Sequence, residues 1–316
     1  EFLKKNLSKK VWEDLRFTNL SALKKNVFRI SEVSDAPNKN FKYSEGLTEN
    51  SYKIVFNNGH YQKQLTTLPK GVEVFTNLEY FDDLKNKVEQ PSISPFDLLN
   101  TAFMDSGISI YVKDNLEIKI PILLVFINAG KDQLMISPRI HIDIGKSSSI
   151  SLIEHHIGFE SGNFSNCTTI FLLKENSYCK HIRVQKDSDQ AINAANIHLN
   201  QEKFSRYYLS YFGLGSILGS IGLNSDLNGQ GAECHLSGLC LTKSHQHLDT
   251  HILINHKSSN CTSSQNFKTV LKDYSSGVFN GKVVVSKDAQ KTNSNQSNKN
   301  ILLSKNARMN SNPQLV

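Results

Sequence analysis

The chain has 316 residues, 38% of them hydrophobic and 21% charged, enough for one large domain or two ordinary ones with a real core, which excludes a chain disordered by composition. Its longest strongly apolar stretch, IKIPILLVFI (118–127), is too short to span a bilayer and is interrupted by Pro121. The net charge is +7 and the lysines are scattered, with no basic helix interleaved with aromatics, so neither a nucleic-acid nor a membrane partner is expected.

The N-terminal region, residues 1–107, reads as helical and mixed. Residues 6–25 look partly helical, anchored by Trp12, Leu15, Leu20 and Leu23, and residues 31–50 read as a polar loop. A second helix is expected within 91–107, with Ser94 as its cap, Pro95 at the first helical position and Gly107 as its stop.

From residue 108 to 316 the pattern is β. Strands are expected at 108–112, 139–144, 149–155, 168–173, 179–184, 206–212, 234–241, 251–254 and 282–285, where β-branched and aromatic residues alternate with polar ones. Similar turns separate them, each ending in a small residue before the next strand: Ser148, Ser177, Ala232, Ala289 and Ala307. Their spacings of 29, 55 and 57 residues fit one or two copies of a unit, and the last, 18, does not. A β-solenoid accounts for this repeat, with a β-sandwich as the competing architecture.

Five cysteines, an odd number with no C-x-x-C pair, argue against a disulfide framework and a standard zinc module, and they read as reduced, buried thiols. GLGSILGSIG (213–222) misplaces the third glycine of a dinucleotide fingerprint and reads as a flexible turn. The Asn/Gln-rich stretch 277–315 reads as structural, its amides serving rung corners.

HQHLDTHILINH (245–256), followed by Cys261, is the one concentration of metal-ligand residue types. On a strand, His247, Asp249 and His251 share a face. Neighbours two apart are ~6.6 Å from each other along the strand and the outer pair ~13 Å, so one ion engages two of them unless the strand bends. His247, Asp249, His251 and Cys261 are the candidate ligands, in a set suited to zinc or iron. The alternative is a row of polar side chains bonded across neighbouring strands. No paired carboxylates or other catalytic motif stands out, so no catalytic residue is assigned.

GVFNGKVVVSKDAQKTNSNQSNKNILLS (277–304) resembles the signature region of the SufB/SufD family of iron–sulfur cluster assembly proteins. RFTNLSAL (16–23), residues 96–112, GAECHLSGLCL (231–241) and residues 246–271 are similar in the same order. The absence of cysteine from 296–303 and the RFTNL segment place the resemblance nearer SufD than SufB, although Leu15 stands where that motif carries Trp.

The resemblance implies a right-handed parallel β-helix after an N-terminal helical region. It implies a non-catalytic scaffold subunit that pairs with SufB-like and SufC-like partners, with a homodimer as a further option, in the cytoplasm or a plastid stroma. No cofactor would be held stably, and an iron–sulfur cluster would pass transiently through the intact complex. Because the chain stops at NPQLV (312–316), a Cys-Ser-His segment and a helical SufC-docking tail are expected to be missing, and SufC docking with them. A zinc- or iron-binding solenoid and a polysaccharide-acting β-helix enzyme are the other classes. The second would call for clustered acidic residues, which are not evident.

Overall fold

The structure is a computed structural model describing residues 17–18, 20–33, 50–76, 94–104, 106–129, 133–158 and 162–316. Most of the expected 6–25 helix and of the 31–50 loop lies outside them. Two helices are described, α1 (Ser21–Lys25) and α2 (Pro95–Phe103). The strands begin with β1 (Arg29–Ile30), β2 (Tyr52–Asn57), β3 (His60–Tyr61), β4 (Val72–Phe75), β5 (Gly107–Val112), β6 (Ile122–Asn128) and β7 (Leu134–Ile136). They continue with β8 (Arg139–Ile144), β9 (Ser149–Gly158), β10 (Phe164–Leu173), β11 (Tyr178–Lys186), β12 (Ile192–Gln201), β13 (Arg206–Gly213) and β14 (Leu218–Leu227). The last are β15 (Glu233–Thr242), β16 (His247–His256), β17 (Thr262–Leu271), β18 (Ser276–Val285), β19 (Asn293–Leu302) and β20 (Arg308–Leu315).

From β8 onward each strand pairs in parallel with the next but one. From β8 onward even-numbered strands build one sheet, which β5 and β4 extend, and odd-numbered strands build the other, which β6, β2 and β3 extend. The chain is thus a parallel β-solenoid of about seven turns, one strand per sheet in each turn. β2 also joins the second sheet in parallel beside β6.

The repeat is written at its corners. Asn115, Ser147, Asn176, Phe204, Gly231, Asn260 and Lys291 all have φ between 52° and 69°. Asparagine and glycine suit that left-handed conformation. The first six each donate the backbone N–H to a carbonyl of the following turn, Asn115 to Lys146 at 2.8 Å and Asn260 to Gln290 at 2.9 Å, for example, so the corners are themselves a ladder. Immediately inside it stand Ser148, Ser177, Ser205, Ala232 and Cys261, all buried. Ala289 follows at this corner, whereas Ala307 stands at the opposite one, where it follows Gln246 and Ser275. The anomalous spacing of 18 therefore joins two different corners.

Inward positions of the early turns carry Ile, Leu, Val and Phe, such as Ile110, Ile142, Ile150, Leu152 and Phe171, which form one continuous core. Strand alternation places them there. α2 closes the outer face of the first sheet. Ser94 Oγ accepts from Asp97 N at 3.0 Å and Pro95 opens the helix. The helix stops at Met104, before the expected Gly107, which instead begins β5. Asn100 Nδ2 donates to the carbonyls of Pro138 and Asn166, and Arg139 Nε donates to Asn100 Oδ1 at 2.9 Å. Phe96, Phe164, Ile192, Ala194 and Leu218 form a second apolar cluster here, joined by Leu20, Leu23 and Phe28 of the N-terminal segment.

Two turn assignments are corrected. Residues 218–222 lie within β14, where Gly219 packs against Leu248 and a Cβ would stand 2.3 Å from Leu248 Cδ2. The Asn/Gln-rich stretch holds most of three strands, β18 to β20, since parallel ladders bond backbone to backbone and so tolerate polar side chains.

Candidate functional site

Strand alternation divides HQHLDTHILINH between three environments. Leu248, Ile252 and Ile254 enter the core. His256 also points inward, its Nε2 2.8 Å from Ser263 Oγ. His245 sits at a corner and stacks on the Tyr274 ring at 5.2 Å. His247, Asp249 and His251 share the outer face.

On that face Asp249 is the centre. Its Oδ1 lies 2.7 Å from His251 Nε2, and the Thr18 hydroxyl donates to its Oδ2. The N-terminal segment therefore covers this carboxylate, which is buried despite facing away from the core. His247 Nδ1 is 2.7 Å from Ser276 Oγ on the adjacent turn. Burial pushes the His247 imidazole below its ordinary value, against the pull of Asp249. Cys261 is not with them: it belongs to the corner ladder, and its thiol donates to the carbonyls of Gly229 and Ser259. Among the described residues no three His, Cys, Asp or Glu side chains are arranged to hold a metal ion. The outer face thus holds an Asp–His pair latched by Thr18 and a histidine bonded across turns.

The densest chemistry lies inside the solenoid. On β9 the inward positions run Ile150, Leu152, Glu154, His156, and on β11 Cys179, His181, Arg183, Gln185. Glu154 Oε1 accepts from Arg183 Nη1 at 2.8 Å and lies 2.5 Å from His156 Nε2, while its Oε2 is 3.0 Å from His181 Nε2. His181 Nδ1 is 2.6 Å from the Tyr207 hydroxyl. The His156 ring stacks on Phe126 at 4.3 Å. Arg183 Nη2 reaches Asn193 Oδ1, and Asn193, Gln185 and Asn128 donate to the Asp187 carboxylate.

All four members of the central group, Glu154, His156, His181 and Arg183, are essentially without solvent contact. Burial alone would raise the Glu154 carboxyl; Arg183, with the hydrogen bonds from His156 and His181, holds it well below the usual range instead. Burial, then Arg183, pushes His156 down, so a neutral imidazole donates to an ionised carboxylate. Sequence reasoning singled out neither strand for this. The legible signal is parity: the inward positions of SLIEHHIG turn from apolar to titratable without changing phase.

The thiols are a contrast. Burial pushes Cys167, Cys234 and Cys240 up to about 12 and raises Cys179 and Cys261 as well. A thiol so held is protonated at neutral pH and is a poor nucleophile or ligand.

Residues 125–316 match the family described as SUF system FeS cluster assembly, SufBD core domain. Over 96% of its length the chain is 30% identical to an iron–sulfur cluster assembly SufBD family protein of Synechocystis, covering 71% of that protein. It is 25% identical over its whole length to the iron–sulfur cluster assembly protein SufD of Escherichia coli, covering 74% of it. It is also 25% identical, over 96% of its length, to a protein of Arabidopsis thaliana named as chloroplastic, covering 67% of it. With a parallel β-solenoid under the family match, the chain belongs to the SufB/SufD family of iron–sulfur cluster assembly proteins, on its SufD-like side.

Proposed function

We propose that the chain is a non-catalytic scaffold subunit of a SufBCD-type complex, pairing with a SufB-like subunit in an assembly driven by a SufC-like ATPase while an iron–sulfur cluster is assembled and passed on. The family match over 125–316 carries this reading. The cluster is cargo of the complex, and no resident cofactor is assigned to this chain. The chemistry of the described residues supports a holding role: His247 and His256 are engaged by Ser276 and Ser263, His251 is paired with Asp249, and the thiols are buried and protonated. No helix among the described residues is long and apolar enough to cross a membrane, and the cytoplasm or a plastid stroma suits the reading.

Co-expression with SufB-like and SufC-like subunits tests it. A stable complex with the SufB-like subunit supports the scaffold role. Failure to bind the SufB-like subunit at micromolar concentration argues against it.

A further inference from the structure

The outer face of the second sheet carries apolar side chains where a solvated sheet face alternates to polar ones. They are in register across turns. Ile153 stands beside Ile182 on β9 and β11. Val184, Phe212 and Leu239 stand side by side on β11, β13 and β15. Two residues further along, Leu241, Val270 and Ile301 stand side by side on β15, β17 and β19. The three rows step sideways as they cross the turns, so together they form one diagonal stripe.

From Ile182 to Ile301 the stripe crosses four strand spacings of ~4.8 Å and advances four residues of ~3.3 Å, a span of ~23 Å. That is the length of an α-helix of about 15 residues. The stripe is accessible: Leu241 is 42% and Ile301 58% exposed, with Phe212 and Val270 partly so. Ser210 and Ser237 lie beside it, small enough to leave room for a cylinder of side chains.

The charge on this face is predominantly positive. Among outward-facing residues of β11, β13, β15, β17 and β19, five are cationic (Lys180, Lys186, Arg206, Lys268 and Lys299) and one, Glu233, is acidic. Lys268 and Lys299 continue the row of Leu239, and Lys186 borders the other side of the stripe. We infer that this diagonal is a docking surface for an acidic amphipathic α-helix of a partner protein, its apolar face on Phe212, Leu239 and Val270 and its carboxylates toward Lys186, Lys268 and Lys299. Apolar anchors supply affinity and the lysines set sign and orientation.

The test is independent of the assembly role proposed above, because it needs no partner subunit. A labelled 15-residue helical peptide, with leucines on one face and glutamates flanking them, is titrated against the full chain by fluorescence anisotropy. Two controls are a scramble of the same composition and a version with lysine for glutamate. Binding of the acidic peptide at least tenfold tighter than either control, weakened at least tenfold by Phe212→Asp, supports the surface. Circular dichroism establishes that the variant is folded. The charge-reversed Lys268→Glu/Lys299→Glu variant gives a second reading: its preference shifts toward the lysine peptide. Equal binding of acidic and scrambled peptides, or an unchanged preference in the charge-reversed variant, overturns the proposal. So does light scattering that shows a dimer abolished by Phe212→Asp, since the stripe's occupant is then a second copy.

Discussion

Arg183 Nη1 lies 2.8 Å from Glu154 Oε1 in the interior of the solenoid, where neither side chain meets solvent. Ions so enclosed hold one another in place, and removal of either leaves an uncompensated buried charge. Glu154→Gln or Arg183→Met alone is expected to cost about 3–5 kcal/mol. The double variant, which removes both charges, is expected to cost less than the two singles together. Denaturant unfolding of the four proteins measures the coupling, and strict additivity would show that the two charges do not depend on each other.

Acid sensitivity follows from the buried imidazoles. Burial, then Arg139, pushes His141 down to about 3, and burial is also the leading cause of the lowered His155, His156, His247 and His256. Each is neutral in the fold and takes up a proton in the unfolded chain near pH ~6.5. Their contribution is thus complete above pH ~6.5 and is lost as pH falls toward the folded values, at up to about 1.4 kcal/mol per pH unit for each group. The depressed Glu154 adds a loss of the same sign below its unfolded value, near pH ~4.3. The melting temperature is expected to fall steadily from pH 7 to pH 5. His141→Phe, which removes one titrating group, is expected to flatten that fall, and an unchanged slope would contradict the assignment.

Phe204 holds a corner conformation that its neighbours on the ladder give to Asn, Ser, Lys or Gly, with φ 56°. Its ring is half exposed and lies over Gly231, where a Cβ would come within 2.6 Å of it. Replacing it by asparagine, the residue at three other corners of this ladder, is expected to raise stability by about 1 kcal/mol through relief of strain. Gly231→Ala is expected to lower it, since both the positive φ and the ring oppose a side chain. Thermal denaturation distinguishes the two.

The architecture was legible where strands alternate and corners carry small residues. Residues 139–144 match β8 to the residue, and Ser94 and Pro95 start α2 as expected. What escaped reading was hidden for physical reasons. β12, INAANIHLNQ, is built from residues of modest β propensity and is held by the strands on both sides. β19, NSNQSNKNIL, is polar on both faces, so no alternation marks it. The unit of 26–32 residues per turn is obscured because the small residues belong to two different corners. At the sites, the shared face of His247, Asp249 and His251 followed from strand periodicity. The approach of Thr18 to Asp249, 231 positions away in sequence, carries no local signal. The Glu154 cluster needed both the inward parity of two strands and their register, which only the pairing of β9 with β11 supplies.

The scaffold role is tested most directly by anaerobic reconstitution of cluster assembly from separately purified SufB-like and SufC-like subunits, with and without this protein, followed by the visible absorbance of the cluster. The protein alone is expected to show neither ATP hydrolysis nor cluster formation, and its addition is expected to raise the yield of cluster on the complex. Cluster formation that is unaffected by leaving the protein out, or turnover by the protein alone, would contradict it.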